Sequence, residues 1–127
     1  MNTDLKEFTQ ATIEALYFTE TGEDDQPAKD AEMDEECRLD IEADCRSWWR
    51  RYGCFVMTEA CICNRHGESH SKAAQAGHDF WLTRNGHGAG FWDGDWSDNY
   101  ATMFTKGAQE YGIFNVLKGD DGNIHSS

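Results

Sequence analysis

A chain of 127 residues, 39% hydrophobic and 13% aromatic at a mean hydropathy of −0.77, has enough apolar matter for one core. That excludes a disordered composition and leaves too little chain for two domains, so a single domain over residues 1–127 is expected. The formal charge of −13 repels polyanions and disfavours direct contact with nucleic acid or an acidic membrane.

The charge is lopsided. Residues 1–44 hold 15 Asp and Glu against three Lys and Arg, whereas the rest of the chain is nearly neutral. No apolar run approaches the roughly 20 residues of a membrane helix. "NTDLKE" after Met1 does not resemble a secretion leader, so a soluble chain is expected. Five cysteines, Cys37, Cys45, Cys54, Cys61 and Cys63, form an odd set that suits free thiols in a reducing compartment. Cys37 and Cys45 read as structural.

In chain order, Leu5, Phe8, Thr12, Ala15 and Leu16 recur at helical spacing and predict a first helix over about residues 4–18, with Asp4 and Glu7 as a capping pair. "TETGEDDQPAKD" contains Gly22 and the only proline, Pro27, and reads as a loop. Met33, Cys37, Ile41, Cys45, Trp48 and Tyr52 then step by three or four residues. They predict a second helix with one apolar stripe, running on toward Phe55 and Val56 past a possible kink at Gly53.

The runs "DFWLTR" and "AGFWD" flank "NGHG". Aromatic runs joined by Asn-Gly predict an antiparallel hairpin at about 79–92, with Phe80 and Leu82 on one face and Trp81 and Thr83 on the other. Ser97 is placed to cap a helix carrying Tyr100, Phe104, Ala108 and Tyr111, and Gly112 to end it. "IFNVL", at about 113–117, predicts a strand leading into the turn "KGDDGN". The expected class is α+β in the order α-α-β-β-α-β, a small, mostly antiparallel sheet packed on helices.

Four constellations could carry chemistry. Cys61, Cys63, His66 and His70 in "CICNRHGESH" are acceptable zinc ligands. Their Cys-x-Cys spacing is not that of a zinc knuckle, however, and in a helix Cys61 and Cys63 would point about 200° apart. The competing reading is a helix end with solvated histidines. His78, Asp79, Arg84, Asn85, His87, Asp93 and Asp95 crowd the aromatic segment. No catalytic order or phosphate-cradling loop accompanies them, and glycine-flanked histidines suit turns. Phe80, Trp81, Phe91, Trp92 and Trp96 could stack bases, but with only Arg84 as a nearby cation they read better as core.

The acids are the fourth. Glu32, Asp34, Glu35, Glu36, Asp40, Glu42 and Asp44 place seven carboxylates in 13 residues. On a helix that is about 20 Å, roughly one charge per 3 Å against one per about 1.7 Å of duplex DNA. Such a face serves solubility, or imitates a nucleic acid before a basic groove.

"AGHDFWLTRNGHGAGFWD" resembles the shared string of a family of short, uncharacterised bacteriophage proteins. "FTQATIEALYFTE" resembles that family's first helix, "EADCRSWW" its acidic second helix, and "AQEYGIFNVLKGDDGNI" its closing segment. The likeness covers most of the chain. The stretch from Tyr52 to Lys72 departs from the pattern, so a metal site there is not implied by it. It implies a small accessory phage product in the bacterial cytoplasm, a lineage and not a reaction.

The expectation is therefore a non-catalytic accessory protein without cofactor. It would bind a host protein with a basic surface, such as a nucleic-acid-handling or defence complex, through Glu32 to Asp44, with no direct nucleic acid or membrane contact. The alternatives are a small metal-dependent enzyme or sensor built on Cys61, Cys63, His66 and His70, and a virion assembly accessory.

Overall fold

The computed structural model describes residues 2–60, 71–93 and 96–127. Among them the order is α1 (Thr3–Glu20), α2 (Glu35–Phe55), a π-helical turn (Val56–Ala60), α3 (Lys72–Arg84), α4 (Asp98–Gln109), β1 (Val116–Lys118) and β2 (Ile124–Ser126). The class is α+β with a small antiparallel sheet, as the sequence leads one to expect. The sheet lies elsewhere than predicted.

α1 forms where its periodicity places it. Its cap is Asn2, whose side chain accepts from Leu5 N at 2.8 Å, and not the Asp4 pair. The second stripe is also correct, with one change at its start. Met33 is buried but extended, forming a parallel bridge with Ile124, and the helix begins only after Asp34, whose side chain accepts from Glu36 N. Gly53 continues the helix, which changes to π-type turns at Val56.

The predicted hairpin at 79–92 is absent, and most of its first strand is the last half of α3. Ser71 caps that helix by accepting from Ala74 N at 3.0 Å. Ala73, Ala76, Gly77, Phe80 and Arg84 form its buried stripe. Asn-Gly does its work at the helix end. Gly86 N donates to Thr83 O and His87 N to Leu82 O, the pair of bonds that closes a Schellman cap, with Gly86 at φ +73°. A type I′ hairpin and a helix C-terminus both need a residue at positive φ, so the dipeptide announces either one.

The observed sheet pairs β1 with β2, Leu117 opposite His125, around the turn Gly119–Gly122. Only its first strand was foreseen, shifted to 116–118 from the expected 113–117. Residues 32–34 flank β2 on its other side through Asp34 N to Ile124 O and Ile124 N to Glu32 O, both 2.8 Å.

The core is aromatic. Trp48, fully buried, lies between Phe8 and Phe91 in near-parallel stacks at centroid distances of 5.2 and 5.4 Å, with Phe80 and Phe104 tilted against it. Each such pair adds about 0.5–1.5 kcal/mol beyond the burial of its area. α1 and α3 approach closely at Gly77, where a Cβ would stand 2.2 Å from Phe8 O. The Thr12 hydroxyl lies within hydrogen-bond distance of Gly77 O at the same crossing. No helix among the described residues is long and apolar enough to cross a membrane.

Candidate functional site

Among the described residues, several polar groups of the aromatic segment bond within the chain. Asp79 is buried, and its Oδ2 accepts from Trp96 Nε1 at 2.8 Å and Gln75 Nε2 at 3.2 Å. Asn85 Oδ1 accepts from Phe114 N, while its Nδ2 donates to Trp81 O. Thr83 Oγ1 accepts from Phe91 N, and Asp93 Oδ2 from Gly90 N. His78 and His87 lie 3.5 and 3.4 Å from Glu14 and Glu20 of α1, which places them along the α1/α3 seam. Asp95 lies outside the described residues. Of the five aromatics, Phe80, Trp81, Phe91 and Trp96 are buried, and only Trp92 is substantially exposed.

Arg84 is the hub of this network. It donates from Nη1 to Asp44 Oδ2 at 2.9 Å, from Nε to Gly112 O at 2.9 Å and from Nη2 to Tyr111 O at 3.1 Å. Its guanidinium also lies 5.4–5.6 Å from the ring centroids of Phe80, Tyr111 and Phe114. A planar, always-charged fork is suited to this combination of carboxylate, carbonyls and ring faces. One buried arginine thus ties α2, α3 and the segment after α4 together.

The acids do not act as one set. Asp44 is the internal counter-ion of Arg84, with a side chain only 32% exposed. Asp34 caps α2 and lies 3.8 Å from His125 Nδ1. Glu32 precedes the helix in the bridge strand. At about 100° per residue the remainder do not make one row. Glu36 and Asp40, four apart, line one edge of α2, and Glu35 and Glu42, seven apart, line the other. Exposed Leu39, Ala43, Arg46 and Arg50 occupy the ridge between them. Asp40 accepts from the Ser126 hydroxyl at 3.3 Å. Glu32, Glu35, Glu36 and Glu42 form no ion pair among the described residues.

A histidine clip that the sequence reading missed sits beside the first edge. His125 Nε2 lies 3.0 Å from Asp121 Oδ1, and hydrogen bonding to Asp121, aided by Asp34 and Glu36, holds its pKa above 6.5. The Asn123 backbone N–H, then His125, hold Asp121 below the usual carboxylate value. The signal was "GDDGNIH" itself, a turn whose Asp and His come to share one end of a two-strand hairpin.

The buried thiols are inert. Burial pushes Cys45 up to about 12 and Cys37 up to about 11. Cys61, Cys63, His66 and His70 lie outside the described residues. Among those described, no group of three or more His, Cys, Asp or Glu is placed to hold a metal ion. No protein-family model, curated protein or solved structure matches the chain.

Proposed function

We propose that the protein is a non-catalytic binder of a basic protein surface. One contrast carries the reading. Among the described residues Asp79, Arg84 and Asn85 of the aromatic segment are bonded within the fold, while Glu32, Glu35 and Glu42 form no ion pair and Glu36 meets only the field of His125. Unneutralised carboxylates on an ordered helix raise the local potential and steer a cationic partner toward it.

The resemblance to bacteriophage proteins supports a partner in the bacterial cytoplasm, and the charge supports one that ordinarily handles nucleic acid. Because the acids take two edges of α2, the partner would bracket the helix instead of meeting a single charged row. Asp44 is excluded from the contact, since Arg84 already holds it.

The test is capture from bacterial lysate by the native chain and by a variant with Glu35→Gln, Glu36→Gln and Glu42→Gln, at low salt and at about 0.5 M, where exposed charges are screened within a few ångströms. A partner retained by the native chain at low salt and lost by the variant is the expected result. Capture unaffected by both the substitutions and salt refutes the electrostatic reading.

A further inference from the structure

Beside the Asp40 edge of α2 runs a groove of about 320 Å³, walled by Asp40, Ala43 and Asp44 on one side and by Ile113, Phe114 and Asn115 on the other, with Ser126 at its end. Ser126 also lines a neighbouring recess of about 590 Å³ over the hairpin, which contains Leu117 and Asp121. Ile113 is 66% exposed and Leu117 44%. This surface thus sets the Asp40 carboxylate beside apolar side chains the fold does not cover, Asp44 and Asp121 being paired with Arg84 and His125.

We infer that this groove receives a short extended segment of the partner protein that carries an arginine or lysine next to an aliphatic residue. The inference rests on the proposed binding of a basic surface and gives that surface its anchor. A long cationic side chain would lay its methylene stem on Ile113 and Ala43 and bring its head to Asp40. Arginine fits best, because Asp40 offers a carboxylate to its planar fork. An adjacent aliphatic side chain would cover Leu117. A second copy of this chain is a poor occupant, since each copy brings a formal charge of −13.

The probe is the blocked peptide acetyl-Arg-Leu-Arg-amide, with acetyl-Gln-Leu-Gln-amide as control, titrated into the full ¹⁵N-labelled chain in the millimolar range. The arginine peptide should saturably shift the amides of Ala43, Asn115 and Ser126, and the control should leave them in place. Asp40→Asn and Ile113→Ser, both at exposed positions, should each weaken binding about threefold to tenfold while preserving the rest of the spectrum. Shifts confined to Glu35, Glu42 or residues 23–30 would overturn the groove and leave the basic-partner reading standing. Equal shifts by both peptides, or none by either, would overturn both. Self-association that occupies the same amides would overturn the choice of occupant.

Discussion

Replacing Arg84 with methionine removes the guanidinium but keeps most of the stem packed against Phe80, Tyr111 and Phe114. Three hydrogen bonds from a charged donor are lost at once, to Asp44, Gly112 and Tyr111. Orphaning one partner of a fully buried ion pair costs about 3–5 kcal/mol. Here the Asp44 side chain is 32% exposed and Gly112 is exposed, so water recovers part of the loss and about 2–4 kcal/mol remains. With an unfolding entropy of about 2.1 cal/mol/K per residue, a 127-residue domain loses about 11 °C in Tm for 3 kcal/mol. Urea denaturation followed by tryptophan fluorescence, together with a thermal melt, measures both quantities. Arg51→Met is the control, because the Arg51–Glu110 pair is 54% and 58% exposed and its removal should leave the midpoint in place. If Arg84→Met is within about 1 kcal/mol of the native chain, the hub does not hold these elements together.

Two further outcomes are expected. Gly77→Ala should destabilise by about 1–3 kcal/mol in urea, because its methyl would meet Phe8 O at 2.2 Å; at an open helical position the same change stabilises, so a gain would refute the close approach of α1 and α3. His125, with a folded pKa raised above 6.5, contributes stability that is fully present below pH 6.5 and lost as pH rises through its folded value. A ring-proton titration should place that value above 6.5 in the native chain and lower in Asp121→Asn, and equal values in the two would contradict the clip.

The two long periodic segments were legible because their spacing reports directly on burial. Leu5 to Leu16 and Cys37 to Trp48 each bury one stripe, and helical geometry alone decides which residues those are. α3 was misread although it carries the same kind of signal, with Ala73, Ala76, Gly77, Phe80 and Arg84 at spacings of three, one, three and four. The small residues at its start hid the stripe, and the β-prone "DFWLT" with Asn-Gly supplied a local alternative. Trp81 and Thr83 favour a strand by intrinsic preference. Packing against α1 outweighs it, with Trp81 Nε1 bonded to Thr19 Oγ1 at 2.9 Å. β2 was overlooked because three residues, Ile124–Ser126, leave no period to detect.

For the candidate site, the excess of acid was plain from the order of residues, but its division into roles was not. Asp44 and Glu42 look alike in the sequence and differ by 200° on the helix, so that one meets a buried arginine 40 positions away and the other forms no ion pair among the described residues. Composition and spacing determined that this chain folds, which faces of α1 and α2 go inward, and that its negative charge crowds the first third. Which carboxylates are paired within the chain was decided only when packing brought Arg84, at the end of α3, within reach of Asp44 on α2. Ion pairing depends on distances between segments far apart in the chain, and such distances exist only in the packed structure.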